Sequence, residues 1–230
     1  MNPSLIRDAV ATLLSDTSQS GTTTNTAQTP LAASLSCLAL LIDAMRLVFP
    51  GSGQDNSTPT QSDALHSAST RDESWKTLLD QLSAWYMARP PELQTLIDVE
   101  RQDAAFPTVL FTSGVGMWAN TMYHTTMALL LSQRLRPALS TEWLQGTLDD
   151  KRQISSLWHT RRVCGIAVNS DPELTRCWDP CMIAAFSFAA RRMTHPTQHS
   201  ALLVCLNRIK LLGWSIGPLI GNLQEDWGMA

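Results

Sequence analysis

Cys177-Trp178-Asp179-Pro180 leads directly into the apolar run 181–190 and then the basic end Arg191-Arg192-Met193. No other stretch narrows the fold as much. An aspartate at the cap position can accept hydrogen bonds from the orphaned N–H groups of a first helical turn. A proline in the next position has a preset φ and loses nothing by lacking an N–H. His195-Pro196 repeats the logic ahead of a helical segment 201–212, and Gly213 supplies the stop. The C-terminal part is thereby committed to helices with sharp starts.

The rest of the chain reads the same way. Leu5, Ile6, Ala9, Val10, Leu13 and Leu14 recur at helical spacing. Residues 16–29 are polar, with almost nothing to anchor a core. Pro30 starts a helix whose expected buried stripe is Leu31, Leu35, Leu38, Leu41, Ile42 and Met45, and Pro50-Gly51 ends it. Residues 51–69 form a second polar stretch, expected to be a disordered insert. Thr70 and Glu73 have capping-box spacing ahead of Trp75, Leu78, Leu79, Leu82 and Trp85, and Arg89-Pro90-Pro91 closes that helix. A long helix is expected over 114–135. Another starts at a Ser140 cap with Trp143, and a further one runs through Ile154, Leu157, Trp158, Cys164 and Val168. The expected fold is all-α: an irregular domain of about eight helices, two flexible polar loops and no strand hairpin. Residues 1–29 make an N-terminal helix and flexible segment, and 30–230 make the helical domain.

The 230 residues carry a formal charge of -3, so no overall positive field is available to grip a phosphate backbone. Apolar runs are broken by Asp43, Arg46, Gln133 and Arg134, and the N-terminus lacks a signal-peptide pattern, so a soluble intracellular chain is expected. Five widely spaced cysteines argue for reduced, mostly buried thiols.

Several residues invite chemistry. Cys177, Cys181, His195 and His199 could together hold zinc, but the intervening segment is apolar and neither pair has knuckle spacing. Cys164 or Cys177 would need an activating base; His159 lies five residues from Cys164, a poor helical alignment. His124 could carry a proton, although a packed, hydrogen-bonded role suits it better. Asp149-Asp150 beside Lys151-Arg152 reads as balanced surface. Gly114-Val115-Gly116 lacks the rest of a phosphate loop and suits close packing of a helix start. Arg161-Arg162, Arg191-Arg192 and Arg208 with Lys210 could converge on an acidic partner, yet neighbouring arginines point about 100° apart on a helix. Trp75, Trp85, Trp118, Trp143 and Trp158 sit in helical patterns and read first as packing. No catalytic, cofactor-binding or metal-binding residue is assigned, and no cofactor is expected.

Taken in order, a set of segments resembles the regulatory, middle-to-C-terminal domain of fungal zinc-cluster transcription factors. They are Ala84-Trp85-Tyr86-Met87-Ala88-Arg89-Pro90, Phe106-Pro107-Thr108-Val109-Leu110-Phe111 and Met122-Tyr123-His124-Thr125 with Leu129-Leu130-Leu131. His159-Thr160-Arg161-Arg162-Val163-Cys164-Gly165-Ile166, Cys177-Trp178-Asp179-Pro180-Cys181, Ala189-Ala190-Arg191-Arg192-Met193 and Gly213-Trp214 complete the set. The likeness spans roughly 30–227 and implies an all-helical regulatory domain in the nucleus, controlling transcription of metabolic gene clusters. Members join it to an N-terminal six-cysteine cluster that holds two zinc ions and reads DNA. Here only Cys37 lies in the first 163 residues.

The resulting expectation is a transcription-factor-like regulatory or interaction domain without its own DNA-binding module. It would act through a protein partner or homodimer, with a small-molecule effector, and contact neither DNA directly nor a membrane. Two alternatives stand beside it. One is a small helical enzyme acting on a hydrophobic metabolite through His124 or His159. The other is a DNA-associated regulator recruited through a partner.

Overall fold

A computed structural model describes residues 29–50, 61–133, 155–170 and 178–229, with side chains from residue 70 onward in the second span. Seven α-helices and one small two-stranded sheet make up these residues. The fold is mainly α, as expected. The expected helix at 5–14, the Ser140 cap with Trp143, Asp149-Asp150, Ile154 and Cys177 lie outside the described residues.

Helix α1 (Pro30–Val48) starts where Thr29 accepts a bond from the Ala32 amide at 3.2 Å. Helix α2 (Gln61–Ala88) leads to a single 3-10 turn (Pro91–Leu93). Strands β1 (Ile97–Val99) and β2 (Thr108–Leu110) pair antiparallel, with Asp98 opposite Val109. Then follow α3 (Gly114–Ser132), α4 (Ser156–Asn169), α5 (Pro180–Ala190), α6 (Pro196–Leu211) and α7 (Gly217–Asp226).

Helix α3 is the axis of the fold: 14 of its 19 residues are buried. It can be covered on all sides because its polar side chains bond to its own backbone. Thr121, Thr125 and Thr126 each donate to the carbonyl four residues earlier, at 2.7–2.8 Å. Asn120 donates to the Gly116 and Leu93 carbonyls. Indole N–H groups fasten the surrounding layers. Trp75 donates to the Leu130 carbonyl, Trp85 to Ala33, Trp118 to the Asp179 carboxylate and Trp227 to Ala190.

The C-terminal starts follow the sequence expectation. Asp179 caps α5, accepting from the Met182 amide at 2.7 Å, and Gly213 leaves α6 with φ 95°. His195 caps α6 in a reciprocal box: its ring accepts from the Thr197 amide, and Gln198 accepts from the His195 amide.

Five expectations need correction. The expected insert 51–69 overlaps α2, which already begins at Gln61. Thr70 is therefore no cap: it lies inside the helix, its carbonyl accepting from the Ser74 hydroxyl at 2.9 Å. Tertiary packing of Leu78, Leu79, Leu82 and Trp85 further along the same helix outweighs the weak propensity of its polar start. The expected stripe of α1 is largely reversed. Its buried residues are the small Ala33, Ser34, Cys37 and Ala44, whereas Leu31 is 65% and Met45 49% exposed; of the stripe, only Leu41 packs on the core. Small residues win that face because α3 approaches closely, with the Cys37 thiol donating to the Ala119 carbonyl. A hairpin exists although none was expected: three residue pairs are too few for alternation to announce it. It is held by tertiary contact, for a Cβ on Gly165 of α4 would collide with the Pro107 carbonyl oxygen. Finally, α7 forms although the sequence reading ends its helices at Gly213.

Candidate functional site

Ser155 starts α4 by accepting from the Trp158 amide, which sets His159 in the first helical turns facing α3. On α3, His124 lies in the buried stretch that follows Met122 and Tyr123. The two imidazoles meet Nδ1 to Nδ1 at 2.8 Å, with His124 2% and His159 0% exposed. That contact requires one ring to donate and the other to accept. Burial holds the His124 pKa well below its usual 6.5, and the neighbouring His159, Arg162 and Arg89 push it the same way. The His124 ring is therefore neutral at physiological pH.

An aromatic shell encloses the pair. Tyr123 stacks on Tyr86 of α2, with ring centroids 4.6 Å apart, and on Trp85 at 5.6 Å. Trp158 meets His159 at 4.9 Å and His124 at 5.7 Å, edge to face in both cases. Burial also raises the Tyr123 hydroxyl pKa, so it stays protonated.

Two guanidinium groups flank the shell. Arg89 lies 3.5 Å over the Tyr86 ring and donates to the Tyr86 carbonyl. Arg162 lies 4.5 Å over Trp158 and pairs with Asp98 of β1. The Nε atoms of both are buried with no hydrogen-bond partner among the described residues, so each guanidinium is held through a terminal nitrogen and through its ring contact. The hairpin thereby acts on the site, because its aspartate neutralises the arginine that sits over Trp158.

Chemically, two rings joined at 2.8 Å can pass a proton between them. Their burial keeps any substrate atom out of reach in this conformation. The flanking cations oppose both protonation of His124 and entry of a second cation.

The other sequence candidates fall elsewhere. His195 is exposed and occupied as a cap, while His199 bonds the Met193 carbonyl at 2.8 Å and stacks on Trp227 at 4.3 Å. Cys181 is exposed at the start of α5. Among the described residues, no group of three or more His, Cys, Asp or Glu side chains is placed to hold a metal ion. Cys164 is buried, and burial followed by nearby Cys205 raises its thiol pKa, which opposes a thiolate nucleophile. The start of α3 packs closely at Gly116, where a Cβ would sit 3.0 Å from the Glu92 carbonyl oxygen.

The basic clusters do not converge. Arg161 faces Glu100, Arg162 faces Asp98, Arg191 faces Asp226 and Arg208 donates to the Val168 carbonyl. Sequence reasoning missed the roles of Tyr86, Arg89 and Asp98. The three-residue spacing Tyr86–Arg89 at the end of α2 and the four-residue spacing Trp158–Arg162 within α4 each bring an aromatic ring and a guanidinium together, and were the available signal. No protein-family model matches this chain, and neither a curated protein nor a solved structure matches it.

Proposed function

We propose that this chain is a regulatory or interaction domain of the kind found in fungal zinc-cluster transcription factors, acting in the nucleus on metabolic genes. One observation carries the reading. Segments 84–90, 122–125 and 159–166, which underlie the resemblance and lie far apart in sequence, meet in one buried cluster through Tyr86, Tyr123, His124, His159 and Arg162. Residues that serve only as scattered surface would have no reason to converge.

The mechanism is a shift between helix packings biased by a bound protein or small molecule, not bond chemistry. The cations, the paired imidazoles and the hairpin aspartate form a polar centre that links α2, α3, α4 and β1, so displacing one helix disturbs the others. Direct DNA reading is assigned to a partner or to a separate module, in keeping with the charge of -3.

Fusing the chain to a heterologous DNA-binding module, upstream of a reporter in a fungal cell, tests the reading. Reporter output should differ from that of the module alone and change with the carbon or nitrogen source. Output identical to the module alone under every nutrient condition overturns it.

The 2.8 Å contact favours a second reading, an enzyme using His124 or His159 as acid and base. Turnover of a hydrophobic metabolite that disappears in a folded His124→Gln variant would establish it over the first.

A further inference from the structure

We propose that the outer face of α1 is a pairing seam for a second copy of this chain. The proposal goes beyond the regulatory reading and does not depend on it. Along this face run Leu31, Leu35, Leu38, Ile42 and Met45, at successive intervals of 4, 3, 4 and 3 residues, with Phe49 four residues on at the C-cap. This is the apolar repeat by which helices wind about one another. Among the described residues it does not pack on the core. The residues of α1 that pack inward are a different set, Ala33, Cys37 and Ala44, with Leu40, Leu41, Leu47 and Val48 beside them. Leu31, Met45 and Phe49 are 65%, 49% and 62% exposed, and the three residues between them are half-buried.

Two observations select a second copy as the occupant. The seam is self-complementary: an alternating 4-3 spacing meets its best match in the same spacing, and a two-fold axis brings one copy onto the other. Charge agrees. The only charged residues of α1, Asp43 and Arg46, pair with each other at 3.5 Å, so the helix carries no net charge to repel its twin. Area sets the strength. A strip about 27 Å long with three long side chains in solvent offers roughly 400–500 Å² per copy, or about 800–1,000 Å² for a pair, below the roughly 1,200–2,000 Å² of stable specific interfaces and in the range of weak, transient ones. The dimer is therefore reversible and concentration-dependent.

A lipid bilayer is the weaker occupant. Helix α1 is long and apolar enough to cross one, but its inner face is fastened by the Trp85 indole on the Ala33 carbonyl and by Cys37 on Ala119. It cannot turn all its sides to lipid without leaving α3.

Sedimentation of the full chain between about 1 and about 100 μM tests the proposal, a range that brackets weak specific association. The mass should rise from one copy to two. Leu31→Glu with Met45→Glu should hold it at one copy throughout, with unchanged helical circular dichroism. A chain that stays single overturns the proposal; so does a folded double variant that still pairs. Should that variant fail to fold, cross-linking decides. In a background carrying Cys177→Ser and Cys181→Ser, Met45→Cys should join two chains through a short bifunctional maleimide, and Val204→Cys should not. Equal yields at the two positions overturn the seam.

Discussion

His195 and His199 lie four residues apart, while His124 and His159 are separated by 35, yet only the distant pair is joined. The local pair divides its duties. His195 caps a helix in solvent, and His199 turns inward to the Met193 carbonyl and the Trp227 ring. Four-residue spacing puts two side chains on one helix face, but a cap residue lies outside the helix and its side chain turns back over the first turn. The distant pair is made by packing α3 against α4. Neighbourhood in sequence is thus a poor guide to which polar groups share a buried bond.

The largest expected effect attacks the distant pair. His124→Leu should destabilise the fold by about 2–3 kcal/mol in urea, because His159 then loses a buried partner. Changing both histidines to leucine should cost less than the two single changes summed, by about 1 kcal/mol or more. Strict additivity would show that the 2.8 Å contact contributes nothing and would erase the contrast.

Asp179 straddles the two cases, one oxygen serving the local Met182 amide and the other the Trp118 indole on α3. Asp179→Ala should cost about 2 kcal/mol and Asp179→Asn about half of that, since asparagine keeps the cap and loses the indole. Equal melting temperatures for the parent and the alanine variant would remove both assignments.

Acid should act chiefly on the distant pair. His124 has a folded pKa below its unfolded 6.5, so above pH 6.5 it is neutral in both states. Below that, the unfolded chain takes up a proton that the folded chain refuses, and stability falls by about 1.4 kcal/mol per pH unit until the folded pKa is reached. Denaturation curves at pH 7.5, 6.5 and 5.5 should show the onset, and His124→Leu should flatten it. An unchanged slope in that variant would move the origin of the acid sensitivity elsewhere.

The smallest effect belongs to the local pair. His195→Ala should cost about 0.5 kcal/mol, the loss of an exposed cap. A larger loss would mean that the exposed ring does more than close a helix end.

Helix starts were the most legible part of the chain, because a cap and a proline act on their own backbone: Asp179-Pro180 and His195-Pro196 sit where expected. Faces were less legible. In α1 the leucine stripe suggested the inside, yet close approach to α3 selected Ala33, Cys37 and Ala44. The candidate site was half-visible. His124 and His159 stood out as residues, but nothing local could announce that they meet, or that Asp98 crosses from a three-residue strand to hold Arg162. Those relations are set by tertiary geometry. The Trp118–Asp179 bond shows the same thing, joining residues 61 apart to tie a locally readable cap to the core.

The enclosure of α3 also sets the order in which the chain can be made safely. By the time Ser132 leaves the exit tunnel, α1 and α2 can cover part of α3, but α4 is still inside the tunnel and α5 is not yet made. Translation to Ala190 takes several seconds at about 5–20 residues per second. Until α4 emerges, His124 lacks the His159 ring and the side of α3 that α4 will cover stays open. An open apolar face of this kind is what holding chaperones bind. A ribosome stalled with α3 outside the tunnel and α4 still inside it should expose that face.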